Sequence, residues 1–272
     1  MDTIDLLDTF EQKLKTQQQP LKTVEENWDQ KADTFYYNQV YGSTYYNSAV
    51  PRLLEQKGIL TPSSSVLDIG SGSGRYAIPF AKRCQSVQAL DLSSEMLQYL
   101  KQEVGKHHLD NISMIQSTWP PTDDIGAFDI AFAAMCPATR STEALKAMSR
   151  TARNYGVICQ YTASTDTVIE ALKAHHVLTE EGTGPHNNRD ILQAYFNILW
   201  ELGYEPEISY LHDTFEVKIT LEEAVDTYKK RYEELESNQI RRVAETLQED
   251  GVIKNMKYTT LAVISWNTHQ SS

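Results

Sequence analysis

Apolar positions fall at helical spacing from the beginning of the chain. Ile4, Leu7, Phe10 and Leu14 share one face of an amphipathic helix predicted over residues 3–16, which Gln17-Gln18-Gln19-Pro20 breaks. Thr23-Val24-Glu25-Glu26 has capping-box spacing, so a second helix is expected to open at Thr23 and to carry Trp28, Ala32, Phe35 and Tyr36. A third carries Val50, Leu53 and Leu54 and can end at Gly58. From Val66 the pattern changes to short apolar runs separated by helical stretches. Strands are expected at Val66–Ile69, Ser86–Leu92, Asn111–Gln116, Phe128–Met135 and Gly156–Thr162. Helices fall between them at Ala77–Ala81, from a Ser93 cap through Met96, and at Glu143–Ser149. Phe128–Met135 is almost uninterruptedly apolar, as a central parallel strand covered on both faces would be.

Later the alternation loosens. A helix and an irregular excursion occupy residues 164–190, and Ile191, Ala194, Tyr195, Ile198 and Leu199 then form an amphipathic helix ended by Gly203. Ile208, Tyr210 and Phe215–Ile219 read as β. Thr220-Leu221-Glu222-Glu223 is a second capping box, opening a charged helix to Leu235, with another near residues 237–248 and a closing strand at Lys257–Trp266. Strands alternating with helices in this way predict an α/β fold with a doubly wound, mostly parallel sheet.

Candidate chemistry enters at Asp68-Ile69-Gly70-Ser71-Gly72-Ser73-Gly74-Arg75. Alternating glycines between a strand and a helix imply a backbone at positive φ, or one that a ligand approaches more closely than a Cβ permits. The second strand ends at Asp91, 21 residues beyond Gly70, where a mononucleotide-binding βαβ unit keeps a carboxylate for the ribose hydroxyls. The dinucleotide fingerprint G-x-G-x-x-G is not met, because Arg75 stands in place of its third glycine, so an NAD-dependent oxidoreductase fits poorly. Ligands of doubly wound sheets bind at the carboxyl ends of the strands, which puts the turn at Met135-Cys136-Pro137 beside Gly70 and Gly72.

The pattern Asp68-x-Gly70-x-Gly72-x-Gly74 with Asp91 downstream resembles the class I S-adenosylmethionine-dependent methyltransferases of the small-molecule type. Trp28-Asp29-x-x-Ala32 is similar to a segment that precedes the first strand in that family and forms part of its cofactor lid. The resemblance covers approximately residues 28–165. It implies a seven-stranded sheet with an antiparallel C-terminal edge strand, an N-terminal helical cap over residues 1–60, and a core over 61–272 with helical insertions near 164–190 and 220–250. The implied cofactor is S-adenosylmethionine, held by Asp68, Gly70, Ser71, Gly72, Gly74, Asp91 and Ala134, with Leu92 and Met96 facing the adenine. Ser117 stands where the family commonly carries an acid for the adenine amino group, so the adenine is expected to be held by Thr118, by the backbone or side chain of Trp119, or by backbone groups alone.

Trp28, Tyr36 and Tyr41 of the aromatic segment, with Met135 and Cys136, are candidate substrate-pocket residues; tyrosines that only pack a helical layer are the equal alternative. Met135-Cys136-Pro137-Ala138 lacks the oxygen and ring of the family's N-P-P-Y turn, which disfavours planar amines as acceptors. The implied reaction is in-line methyl transfer to a small molecule, which depends on alignment and exclusion of water more than on an acid–base dyad. Should the acceptor have to lose a proton, Tyr37 and His186 are the candidate bases. A cofactor-binding protein of this fold without turnover is the main alternative.

Composition narrows the partners. The chain has 272 residues, 40% of them hydrophobic and 23% charged, enough for a sizeable core. A net charge of -12 opposes phosphate backbones and anionic lipid, so neither nucleic acid nor membrane is expected as a partner. The acidic start Met1–Asp5 has no apolar leader core behind it, and a cytoplasmic location is expected. Cys84, Cys136 and Cys159 are too dispersed for a disulfide framework or structural zinc, and His175, His176 and His186 lack a third ligand at diagnostic spacing, so no metal is expected. The amphipathic first helix would suit a lid or a homodimer formed through the N-terminal helices.

Overall fold

The computed structural model describes residues 6–14, 19–179 and 188–269. Helices α1 (Leu6–Leu14), α2 (Leu21–Tyr41) and α3 (Tyr45–Gln56) precede a βα succession: β1 (Ser65–Ile69), α4 (Ala77–Ala81), β2 (Ser86–Asp91), α5 (Ser94–Lys106), β3 (Ile112–Gln116), β4 (Phe128–Ala134), α6 (Thr142–Thr151) and β5 (Ala152–Asp166). The remainder comprises α7 (Thr167–Ala174), α8 (Arg189–Glu201), β6 (Glu207–Ile219), α9 (Leu221–Arg231), α10 (Ser237–Glu245), β7 (Gln248–Glu249) and β8 (Val252–Asn267). No helix among the described residues is long and apolar enough to cross a membrane.

The strands join one sheet in the order β3-β2-β1-β4-β5-β8-β6, with the two-residue β7 paired antiparallel to β8. The pairs β3–β2, β2–β1, β1–β4 and β4–β5 are all parallel. This is the expected α/β fold with a mostly parallel sheet. The closing strand β8 lies between β5 and β6, so the outer position on that side belongs to β6. Chain order reverses between β1 and β4, creating the switch point at which such sheets bind ligands.

The chain divides into two compact units, with the boundaries falling inside or close to β5, β6 and β8. The first comprises Met1–Gln160, Asp190–Leu211 and Val263–Ser272. Its centre is made by the apolar runs of β1 and β4, where Leu67, Ile69, Ile130 and Phe132 are sealed from solvent because helices cover both faces. Phe80 of α4 meets Phe132 edge to face, with centroids 4.8 Å apart. Trp266 of β8 lies against Gly156 of β5 and donates its indole N–H to Ser149 Oγ at 3.0 Å.

The second unit comprises Tyr161–Arg189 and His212–Ala262. In it α7, α9 and α10 bury Val168, Leu172, Ala224, Tyr228, Ile240 and Ile253 together. Asp166 caps α7 by accepting from Ile169 N at 2.9 Å and pairs with Lys257 at 3.0 Å, which gives this buried carboxylate two partners.

The two capping-box sequences behave differently. Thr220 and Glu223 form the complete reciprocal box at the start of α9. Thr23 does not cap a helix: α2 begins two residues earlier, with Val24 N donating to Pro20 O at 3.1 Å. Pro20 stops the preceding chain, and Leu21 and Lys22 are good helix formers, so hydrogen bonding starts directly at the Pro20 carbonyl and Thr23 is carried inside the first turn.

A Cβ at Gly156 would fall inside the Trp266 ring, and the indole is held by its bond to Ser149. Gly156→Ala is therefore expected to destabilise the protein by about 1–3 kcal/mol, measured as a lower midpoint of urea unfolding with the slope unchanged.

Candidate functional site

The turn after β1 is organised by three glycines in different ways. Gly70 N and Ser71 N both donate to Leu90 O, at 2.8 and 3.0 Å, so the chain leaves β1 across the end of β2. Gly70, Gly72 and Gly74 have φ of 68°, 53° and 92°, the left-handed region that a side chain would strain. A Cβ on Gly70 would lie 2.6 Å from Cys136 Sγ, and one on Gly74 2.5 Å from Leu100 Cδ1, so these two let β4 and α5 pack against the turn. A Cβ on Gly72 would meet only Met96 Sδ, at 3.9 Å. Space beside Gly72 is thus open, a cradle at the carboxyl ends of β1 and β2.

Asp91, the last residue of β2, closes one side of that cradle. Its Oδ2 accepts from Gly72 N at 2.8 Å and its Oδ1 from Ser93 N at 2.9 Å. Each oxygen keeps a lone pair for a ligand hydroxyl. Burial raises the Asp91 pKa, against the pull of those backbone donors, and Asp29 nearby adds to the rise. Asp68, beneath the turn, is 2% exposed, and its Oδ2 has no hydrogen-bond partner. Burial pushes its carboxyl up to about 8, and the Asp91 charge adds to this while the Ala77 N–H opposes it. Ser71 Oγ beside it is likewise buried and without a partner. Two carboxyls held above their ordinary range, with polar atoms unsatisfied, form a site that a cationic, hydroxyl-bearing ligand would relieve.

Helix α2 lies along α5 and is fastened by a polar stripe. Ser93 Oγ caps α5 by accepting from Met96 N at 3.1 Å and donates its own proton to Asp29 Oδ1 at 2.5 Å. Further along, Asp33 accepts from Tyr99, and Tyr36 donates to Glu103 at 2.6 Å while stacking on the Tyr99 ring. The stripe ends at Gln39, which donates to Ser73 O at 3.2 Å and accepts from Ser73 Oγ at 2.7 Å, clamping the glycine turn. Gln39 was not among the sequence candidates. Its signal was legible, because Asp29, Asp33, Tyr36 and Gln39 recur every three or four residues on one helix face.

At the end of β4, Met135 adopts φ 48° and donates its N–H to Cys159 O at 2.9 Å. This strained position turns Cys136 onto Gly70. Burial raises the Cys136 thiol to about 12, which keeps it protonated and makes it a wall rather than a nucleophile. Thr139 Oγ1 donates to Cys136 O at 2.8 Å and meets the Tyr195 hydroxyl at 2.9 Å. Tyr195 thus comes from α8 to the same strand end; it is one of five apolar-face residues of α8, and nothing local distinguished it.

The structure gathers Asp68, Gly70, Ser71, Gly72, Gly74, Asp91, Met96 and Cys136 around the turn. Leu92 and Ala134 are half-buried at the ends of β2 and β4, and Met135 follows Ala134. Thr118 follows β3, its hydroxyl donating to Pro120 O at 3.3 Å. The buried Trp119 turns its indole N–H to Ala144 O of α6, at 3.2 Å. Trp28 packs edge to face on Phe35 of its own helix, and Tyr36 is brought to α5 rather than to the turn. Tyr37 is 61% exposed on α2. Tyr41 is the last residue of α2, and its side chain is outside what is described. His186 lies outside the described residues.

Glycine turn, strand-tip acid and switch point come together as the candidate ligand site of a doubly wound α/β protein. Residues 66–156, the stretch that carries the glycine turn and Asp91, match the family model of a methyltransferase domain. A Haemophilus influenzae protein of uncharacterised function is 36% identical over 110 residues, 39% of this chain and 38% of that one. A Methanobrevibacter smithii relative, named a probable cobalt-precorrin-6B C(15)-methyltransferase (decarboxylating), is 30% identical over 71 residues, 26% of this chain and 38% of the relative. The chain thus spans under two fifths of each of these relatives. Among solved structures, magnesium protoporphyrin IX methyltransferase from Synechocystis with bound S-adenosylhomocysteine superposes with a TM-score of 0.51, covering 92% of this chain and 99% of that one at 14% identity. At that identity the likeness establishes the fold.

Asp68 holds its proton to about pH 8 when folded, against an ordinary value of 3.8. Its contribution to stability is complete below the unfolded value and is lost as pH rises through the folded one. Urea unfolding of the ligand-free protein across that window should show stability falling with pH, and Asp68→Asn should flatten the fall.

Proposed function

We propose that the protein is an S-adenosylmethionine-dependent methyltransferase acting on a small-molecule acceptor by in-line transfer. The observation that carries this reading is the open cradle at Gly72, closed by Asp91, inside the methyltransferase domain. Asp91 would take the ribose hydroxyls on the free lone pairs of its two oxygens. Asp68 and Ser71, buried without partners for the atoms named above, would serve the positively charged amino-acid end. Leu92 and Met96 would face the adenine, with Thr118 at the rim; Trp119, its N–H engaged by Ala144, would contribute its ring rather than a hydrogen bond.

The bound cofactor supplies an electrophilic methyl carbon on a sulfonium leaving group. The protein's part is to align the acceptor and exclude water. Met135 and Cys136 would form the acceptor wall at the end of β4, Ala134 would adjoin the cofactor, and residues 1–60 would act as the cap, with α2 latched to the turn through Gln39. Where the acceptor must lose a proton, Tyr37 or His186 would serve as base. The reading carries with it a cytoplasmic location and pairing through the N-terminal helices. Insertions near residues 164–190 and 220–250 would complete the core of residues 61–272.

Calorimetry with S-adenosylhomocysteine should show binding by the parent protein and at least about a 100-fold loss in Asp91→Ala, which removes hydrogen bonds to a charged acceptor. Equal binding by that variant would sink the placement of the ribose. Release of labelled methyl from S-adenosylmethionine in a metabolite extract separates an enzyme from a binding protein of the same fold.

A further inference from the structure

The end of β4 carries a cation that the cofactor reading does not use. Arg140 follows the 3-10 turn Pro137–Thr139, its N–H donating to Pro137 O at 3.1 Å. Its side chain is half-buried, its Nε is sealed from solvent without a hydrogen-bond partner, and no carboxylate among the described residues pairs with it. In a chain of net charge -12 a partly buried arginine without a counterion is conspicuous. Guanidinium groups carry five donors in a plane and are costly to desolvate unless an oxyanion meets them.

The neighbouring hydroxyls order the turn that carries Arg140. Thr139 Oγ1 spends its proton on Cys136 O, so in its 2.9 Å contact with Tyr195 the tyrosine must donate. Burial holds the Tyr195 phenol protonated, raising it to about 12, while Thr139 and the nearby Arg140 charge oppose the rise. Donors therefore run from Tyr195 to Thr139 and from Thr139 to the carbonyl of Cys136, the residue that closes on Gly70, and Arg140 follows Thr139 directly in the chain.

We propose that Arg140, carried by the turn that Thr139 and Tyr195 order at the end of β4, is the acceptor-recognition residue of this site, and that the methyl acceptor carries an oxyanion group, a carboxylate or a phosphate. The proposal rests on the methyltransferase reading and names the substrate class for it.

The test uses the full chain. Small-molecule extract is split by anion exchange into retained and unretained fractions, and each is offered with labelled S-adenosylmethionine. Methyl transfer is expected into the retained fraction. Arg140→Gln should lower it about 10- to 100-fold, the effect of losing hydrogen bonds to a charged group, and Arg140→Lys should restore part of it. Affinity for S-adenosylhomocysteine should stay within twofold of the parent in both variants, which excludes unfolding as the cause. Phosphatase treatment of the retained fraction identifies the source: loss of the acceptor means a phosphate, survival a carboxylate. Transfer into the unretained fraction, transfer into neither, or undiminished transfer by Arg140→Gln overturns the proposal while leaving cofactor binding intact. Failure of the parent protein to bind S-adenosylhomocysteine overturns the underlying reading instead, and the acceptor proposal with it.

Discussion

The carboxylate of Asp91 is the interaction on which the site depends. One oxygen holds Gly72 N and the other Ser93 N, so a single side chain joins the turn after β1, the tip of β2 and the start of α5. Ser93 then passes the connection on, capping α5 with its oxygen and donating its proton to Asp29 of α2. Backbone hydrogen bonds to an ionised acceptor are among the stronger ones in proteins, which is why one acid can set the geometry of three elements. Its own burial works against that ionised state, and the donors offset the cost.

Around this acid the three glycines divide their roles by what stands beside them. Gly70 admits Cys136 and Gly74 admits Leu100, so both are packing positions where the turn meets β4 and α5. Only Gly72 faces open space. The methyltransferase reading needs such an asymmetry, since a ligand that lies on the turn must approach one peptide closely while its neighbours hold the turn rigid. Helix α2 adds a second constraint from outside, with Gln39 gripping Ser73 at both its hydroxyl and its carbonyl.

Electrostatics give the site a direction. Asp68 and Asp91 are both raised by burial, and each is better accommodated when a positive charge is present. Four residues after Cys136, Arg140 has a buried Nε without a hydrogen-bond partner and no carboxylate paired to it among the described residues. On the proposed reading, Asp91 suits a cationic donor and Arg140 an anionic acceptor, with the neutral thiol of Cys136 as a wall residue.

The sequence by itself determined the sheet and the glycine turn with its strand-tip acid. Apolar runs such as Phe128–Met135 specify buried strands because both faces must be covered, and alternating glycines before a helix with an acid at the next strand tip are local patterns with local causes. Ser93 and Thr220 were readable as caps for the same reason, whereas Thr23 was not one, because Pro20 had already started the helix. What only the tertiary structure decided is which side chains meet across elements. Tyr36 had the composition of a pocket residue and went to Glu103 and Tyr99; Gln39 and Tyr195 reached the site from helices whose spacing shows a face but not its partner. Periodicity fixes the side of a helix on which a residue lies, while the element packed against that side is chosen by long-range burial, and no local pattern records it.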